Sequence, residues 1–138
     1  MRDLLIGFAW AYGHLFVYAG LATTVVGIEL AIGEATEAVL DEGTRAALCG
    51  GVALYLVAIT IVHPLSPPPL PRSAVVARLA VATFALALAL AGTWLSPPLL
   101  VGLLALALAG LTAFEVAWIG QPGKEPEPTL TENERKVS

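Results

Sequence analysis

"AYGHLFVYAGLATTVVGIELAIG", residues 11–33, is the stretch that decides the fold of this chain. It is apolar at nearly every position and longer than the roughly 20 residues that an α-helix needs to cross the hydrocarbon core of a bilayer. Together with the residues before it, it forms one apolar block that continues to Ile32. The apolar region of a secretory signal peptide ends sooner. The pattern therefore predicts a membrane-spanning helix over residues 4–32.

The composition of the whole chain agrees with this prediction. The 138 residues are 57% hydrophobic and only 13% charged, whereas a soluble domain carries about a quarter charged residues. Three further apolar blocks predict helices over residues 46–63, 74–95 and 98–119, with Pro- and Gly-containing breaks between them. The sequence thus predicts an all-α membrane protein with four transmembrane helices in an antiparallel up-down bundle, residues 1–119. Three polar residues at the block starts are placed as helix N-caps: Thr44, Ser73 and Ser96.

Residues 120–138 form a polar tail rich in Pro and Glu, a composition that predicts disorder. The basic residues predict the orientation of the chain. Only Arg45 falls on one side of a four-helix path, and the others fall on the opposite side: Arg2, Arg72, Arg78, Lys124, Arg135 and Lys136. By the positive-inside rule, both termini and the tail are expected in the cytoplasm, in a cell inner or plasma membrane.

Several function classes find no support in the sequence. No basic stripe indicates nucleic-acid binding, and no hydrolase motif or glycine-rich phosphate loop is present. His14 and His63 lie on different predicted helices, so we expect no metal site. We also expect no cofactor, no catalytic residues and no enzymatic activity. Cys49, the single cysteine, lies inside an apolar block and is interpreted as a small packing residue.

Small residues along two of the predicted helices indicate how the helices associate. Gly13, Gly20 and Gly27 recur every seven residues in the first helix and fall close to one line. Lipid tails are as apolar as leucine, so helices in a bilayer associate largely through close approach at such small residues. The fourth helix has a similar stripe: Ala105, Ala109, Ala113 and Ala117. A packing seam is the first interpretation, and a mobile seam in a transporter is the alternative.

A second set of residues consists of polar side chains within the apolar blocks, where each is costly. His14 lies early in the first helix and Glu115 late in the fourth, so antiparallel helices place them at similar depth. Tyr18 is one turn from His14 on the same face, and Tyr55 lies midway along the second helix. One hypothesis is a polar or proton path formed by these four residues. The alternative is a structural hydrogen bond between helices.

Glu29 and Arg45 are expected at the opposite boundary of the membrane. Glu29 lies near the end of the first helix, and Arg45 lies near the start of the second. An ion pair between them at the outer boundary is one interpretation, and a site at an outer vestibule is the other.

Four segments resemble the C-terminal part of the bacterial low temperature requirement A (LtrA) family: "YGHLFVYAG", "VVGIELAI", "ALCGGVALYLV" and "FEVAW". The most specific matching positions are Tyr12, His14, Ala19, Gly20, Gly27 and Glu29. The resemblance covers residues 8–63 by motif and 74–118 by layout. The acidic-aromatic signature near the N-terminus of that family has no counterpart here, so we expect a last part of a longer protein or a shortened homologue.

The resemblance implies a multi-pass membrane protein of undefined biochemical activity with a role in growth in the cold. Three hypotheses stay open: part of a transporter-like assembly, a scaffold subunit that binds partner helices through Gly and Ala faces, and a small solute or proton carrier that uses His14 and Glu115. The expected partners are the lipid bilayer, a second copy of this chain, or missing N-terminal transmembrane helices from another chain. A carrier requires a cavity that water can reach at the depth of His14 and Glu115, whereas a scaffold does not.

Overall fold

The computed structural model describes residues 2–63 and 71–119, and side chains within residues 11–63 and 71–117. Within these ranges the chain forms four α-helices and a short 3₁₀ turn at Gly92–Trp94: α1 Arg2–Gly33, α2 Glu42–Val62, α3 Arg72–Ala91 and α4 Pro97–Ile119. The predicted all-α fold with four helices is confirmed. The disorder predicted for residues 120–138 lies outside the described residues.

Each helix contains a segment long and apolar enough to cross a membrane: Ala11–Gly33, Glu42–Val62, Arg72–Trp94 and Pro97–Ala117. The helices run antiparallel in chain order, so the bundle has two distinct ends. The hairpin side carries the connections 34–41 and 92–96. The terminal side carries the start of α1, the end of α2, the start of α3 and the end of α4.

The central helix of the bundle is α2. It packs extensively on α1 and also on α3, and α3 in turn contacts α4. Over half of the α2 segment is buried, 56%, compared with 17% of the α1 segment and 17% of the α4 segment. The outer helices therefore present broad apolar surfaces, which suit contact with lipid or with other membrane helices.

The core lies between α2, α3 and α4. Its most deeply buried side chains are Leu40, Cys49 and Leu100, each at most 1% exposed. Cys49 is a free thiol surrounded by this core, and the packing role inferred from the sequence is confirmed.

Two of the predicted helix starts differ from the structure. Asp41, not Thr44, is the N-cap of α2, because its carboxylate accepts a hydrogen bond of 2.9 Å from the Gly43 N–H. The helix consequently begins four residues before the predicted start. Ser73 lies inside α3, which begins after Pro71 without a side-chain cap. Ser96 does directly precede α4.

Candidate functional site

The helices α1 and α2 meet backbone to backbone along a seam of glycines. A Cβ atom placed on Gly20 would lie 2.6 Å from the Tyr55 nitrogen, and one placed on Gly27 would collide with the backbone of Leu48. From the α2 side, a Cβ on Gly51 would lie 2.6 Å from the Thr24 nitrogen. A real side chain at these positions forces the helices apart, so glycine is required for this approach.

The contact changes in kind toward the terminal side of the seam. A Cβ on Gly13 would meet a methyl group of Val62, which is the far end of a side chain rather than backbone. The structure thus places against α2 all three glycines that were predicted for packing, with backbone contacts at Gly20 and Gly27 and a side-chain contact at Gly13.

On the hairpin side, a single carboxylate closes the connection between α1 and α2. Glu34 accepts hydrogen bonds from the Asp41 N–H at 2.7 Å and from the Thr44 hydroxyl at 2.5 Å. Bonds to an ionised acceptor are stronger than neutral ones, so Glu34 fixes the end of α1 relative to the start of α2.

Arg45 joins α2 to the end of α3. Its side chain is only 6% exposed. Its Nε donates to the Ala89 carbonyl at 3.0 Å, and its Nη1 donates to the Leu40 carbonyl at 3.2 Å. Ala89 is in the last turn of α3, where carbonyls lack a partner within the helix and carry the negative end of the helix dipole. Gly92 leaves room for this side chain, since a Cβ there would lie 2.9 Å from the Arg45 Cδ.

The ion pair expected between Glu29 and Arg45 is not formed among the side chains that the structure describes. Both residues are near the hairpin side, as predicted, but on different faces. Glu29 lies on the exposed surface of α1, whereas Arg45 lies on the face of α2 that packs against α3. The backbone carbonyls of Ala89, near the end of α3, and of Leu40, in the connection before α2, take the place of the expected carboxylate.

On the terminal side, Arg78 of α3 and Glu115 of α4 form an ion pair within the apolar segments. The guanidinium is bidentate, with Nε to Oε1 at 2.5 Å and Nη2 to Oε2 at 3.0 Å. The two side chains are 12% and 22% exposed. A paired carboxylate and guanidinium cost much less in an apolar region than either group alone.

Beside this pair lies a cavity of about 130 Å³ between α2, α3 and α4. Its polar lining comprises Tyr55, Arg78, Thr112 and Glu115, and its apolar lining comprises Leu56, Ile59, Leu108 and Leu111. The Nη1 nitrogen of Arg78 is buried and has no hydrogen-bond partner among the described residues. Because ionisable residues within membrane segments often mark functional sites, the space beside this ion pair is the candidate site.

The structure brings together two of the four residues predicted for a polar path, Tyr55 and Glu115. Tyr18 lies on α1 with 65% of its surface exposed, and His14 is partly buried on the same helix. The carboxylate of Glu115 binds Arg78 with both oxygens, and this partner was not predicted from the sequence.

Arg78 is the functional residue that sequence reasoning missed, since it entered only as a basic residue that sets orientation. The position of Arg78 in the sequence could have indicated this role, because it lies six residues beyond Arg72 and inside an apolar block. An arginine at such a position requires a polar partner on another helix, and Glu115 is the acidic residue of the facing span.

Comparison with known proteins gives one match. The family model of the bacterial low temperature requirement A protein (LtrA) matches residues 2–109, more than half of the chain. No curated protein matches the chain, and no solved structure matches it. The matched range contains the glycine seam, Tyr55 and Arg78, whereas Thr112 and Glu115 lie beyond it.

Proposed function

The chain belongs to the bacterial low temperature requirement A family, and from this premise we propose that it is one unit of a transporter-like membrane assembly. Its four apolar helices fit an integral, multi-pass membrane protein. The proposed role of this unit is to hold a polar site between α2, α3 and α4 while α1 braces α2 through the glycine seam.

The observation that carries the proposal is the cavity beside the Arg78–Glu115 pair. Ionisable residues inside a membrane are rare, face the interior of a bundle or a water-filled space, and mark substrate or ion pathways. A purely structural ion pair needs no open space next to it. Here the Arg78–Glu115 pair borders the same space as Tyr55 and Thr112.

The exposed faces of the outer helices support an assembly larger than this unit. The α1 and α4 segments are each only 17% buried, and large apolar side chains such as Leu106 are 71% exposed. We propose that this unit corresponds to the C-terminal part of the family. Further transmembrane helices, from another chain or from a second copy, would cover part of these faces.

The decisive test asks whether water reaches the cavity. In a Cys49→Ala background, single cysteines are placed at Thr112 and at Ala113, which are adjacent and therefore at equal depth. Both residues are exposed on α4, but Thr112 lines the cavity and Ala113 is not among its lining residues. We expect a charged methanethiosulfonate reagent to modify Thr112→Cys at least about tenfold faster, because thiolate forms and the reagent dissolves only where water is present. Equal, negligible rates would exclude a transport pathway through this cavity.

We further propose that both termini are cytoplasmic, in the cell inner or plasma membrane. This rests on Arg72 and Arg78 at the terminal side and on the excess of basic residues outside the hairpin connections. A membrane-impermeant thiol reagent added to intact cells is expected to modify Glu37→Cys and to spare Arg72→Cys. The reverse pattern would invert the orientation.

A scaffold is the second candidate function, and one observation favours it. The glycine seam is already occupied by α2 and is not free for a partner, but Ala105, Ala109, Ala113 and Ala117 are all exposed on α4. If these alanines bind a partner helix, Ala109→Leu will lower the mass of the complex purified in mild detergent. An unchanged mass would leave the alanine face to lipid.

A further inference from the structure

We propose that the outward face of α1 binds another transmembrane helix that carries an arginine or a lysine at the depth of Glu29. This face, called the outer stripe below, consists of Tyr18, Ala22, Val25, Glu29 and Ile32. The proposal rests on the proposed function, since it names the chemistry of one further helix of the proposed assembly.

The outer stripe lies on the side of α1 opposite the glycine seam. Glu29 is two residues beyond Gly27, which places it about 200° around the axis of an α-helix. Gly27 packs on the backbone of α2, whereas all five residues of the outer stripe are exposed. They follow one another at alternating intervals of four and three residues, the spacing with which one helix packs along another at a small crossing angle. The outer stripe is therefore a continuous helix-packing face that α2 leaves uncovered.

Glu29 lies inside the apolar segment of α1 and not at its end. The segment continues to Gly33, which is about 6 Å further along the helix axis. Because Gly27 packs against Leu48 and the two helices are antiparallel, Glu29 is level with Ala46, which also lies inside an apolar segment. Lysine and arginine have long side chains that extend to the membrane surface from such a depth, whereas the side chain of glutamate is shorter.

The carboxylate of Glu29 has no partner within this chain. It forms no ion pair and no hydrogen bond among the side chains that the structure describes. Its neighbours one turn away on the same face, Val25 and Ile32, are apolar and exposed. An apolar face alone suits lipid, but an acidic residue within a membrane segment is costly and is nearly always paired. A helix that presents a cation at this depth supplies the missing partner and packs along the apolar residues of the stripe.

A second copy of this chain does not supply that cation. At the hairpin side, Arg45 is the only basic residue in the described part of the chain. It is buried and donates to the Ala89 and Leu40 carbonyls. Two copies in the same orientation that met through the outer stripe would bring one Glu29 carboxylate against the other, and like charges repel. The charge of Glu29 therefore favours a different helix over a second copy.

A synthetic transmembrane peptide of leucine and alanine tests the proposal. It has alanine along its contact face and one arginine about one turn from each end, so that either orientation presents a cation at the depth of Glu29. The full chain and the peptide are reconstituted in phosphatidylcholine vesicles, and energy transfer from tryptophan to a dansyl group on the peptide measures binding. We expect this peptide to bind at least about fivefold more tightly than a peptide with leucine in place of both arginines. Equal binding would leave the outer stripe to lipid and overturn the proposal.

Two variants assign the binding to the outer stripe. Glu29→Leu should weaken binding of the arginine peptide at least about fivefold and leave binding of the leucine peptide unchanged. The matched control combines Glu29→Leu with Leu30→Glu, which keeps the composition and moves the carboxylate about 100° around α1. Both positions are exposed, so both variants are expected to fold, as circular dichroism will show. The control should bind as weakly as Glu29→Leu. Binding like that of the parent would mean that the carboxylate acts without the stripe, contrary to the proposal.

The mass of the chain in mild detergent tests the competing occupant. A dimer of the parent that Glu29→Leu dissociates would make a second copy the occupant of the outer stripe, and the proposal would be wrong. A mass that is the same for the parent and Glu29→Leu is the expected result.

Labelling of Thr112→Cys separates this proposal from the proposed function, because Thr112 lies on α4 and the outer stripe on α1. If Thr112→Cys is labelled but the arginine peptide binds no better than the leucine peptide, the docking face is wrong and the water-reachable site stands. If the arginine peptide binds through Glu29 but Thr112→Cys is never labelled, the docking face stands and the transport pathway is wrong.

Discussion

The helix pairs α1–α2 and α3–α4 are held together in different ways. The first pair has an extensive contact in which Gly20, Gly27 and Gly51 bring backbone against backbone. The second pair has a much smaller contact and is joined by a short connection and the Arg78–Glu115 ion pair. Close packing of small residues and polar links between helices are the two attractions available in lipid, and each pair relies mainly on one of them.

The difference shows where a site can form in such a bundle. At Gly20 and Gly27 the seam leaves no space for a side chain between α1 and α2, and the groove between these helices near Gly13 has an apolar lining. The cavity beside the Arg78–Glu115 link has polar residues in its lining. Tyr55 connects the two regions, because its backbone lies against Gly20 and the residue also lines the cavity. The tightly packed pair α1–α2, called the tight pair below, therefore positions one wall of the cavity. The other walls belong to the loosely packed pair α3–α4, called the loose pair below.

The largest expected effect comes from breaking the tight pair. Gly20→Leu should destabilise the protein by more than about 3 kcal/mol, because the new side chain meets backbone atoms that cannot move independently. Unfolding by SDS titration in mixed micelles measures this loss. A parent-like transition would show that α1 does not need to approach α2 this closely.

Two neighbouring glycines of α2 provide a sharper version of the same test. Gly51→Ala should cost about 2 kcal/mol, since its Cβ would lie 2.6 Å from the Thr24 nitrogen. Gly50 has nothing within 4 Å of its Cβ position, so Gly50→Ala should be neutral or stabilise the helix by up to about 1 kcal/mol. We therefore expect the two substitutions to change the free energy of unfolding in opposite directions when both are measured in the same titration. Equal changes would contradict close packing at the seam.

The next effect concerns the polar link of the loose pair. Arg78→Ala should destabilise the protein by about 2–3 kcal/mol, because it leaves the Glu115 carboxylate without its partner in an apolar region. The combined Arg78→Met and Glu115→Leu variant should recover most of this loss. If both variants melt alike and well below the parent, the ion pair itself, and not the uncompensated charge, supplies the stability.

A smaller effect is expected at Arg45, which links the two pairs. Arg45→Leu removes the donors to the Ala89 and Leu40 carbonyls and should cost about 2 kcal/mol of unfolding free energy. Arg45→Lys keeps a cation near the end of α3 and should lose less. An equal loss in both variants would mean that the geometry of the two hydrogen bonds matters more than the charge.

The smallest effects are expected from the carboxylates of the hairpin side. Glu34→Gln weakens two charge-assisted hydrogen bonds and should cost about 1 kcal/mol. Glu29→Gln, at an exposed position, should change stability by less than about 0.5 kcal/mol. A larger cost for Glu29→Gln in the same titration would restore the interaction predicted for that residue from the sequence.

The sequence by itself determined the four helices and their antiparallel order. Hydropathy and length are properties of one segment at a time, so all four spans could be predicted, with the largest errors, of four residues, at the start of α2 and the end of α3. The spacing of Gly13, Gly20 and Gly27 likewise predicted a close-packing face. The depth of each residue in the membrane, counted along its helix, correctly placed Tyr55 near Glu115. Depth follows from the rise of 1.5 Å per residue and needs no knowledge of the neighbouring helices.

Only the tertiary structure decided which faces meet. Glu115 binds Arg78, a partner that the sequence did not indicate, and Arg45 binds the carbonyls of Ala89 and Leu40 and not Glu29. Glu29 and Arg45 lie near the same end of the bundle, but the rotation of their helices about the helix axes places them on different faces. That rotation depends on the packing of all the helices at once, because each small contact adds only a little free energy to one arrangement over another.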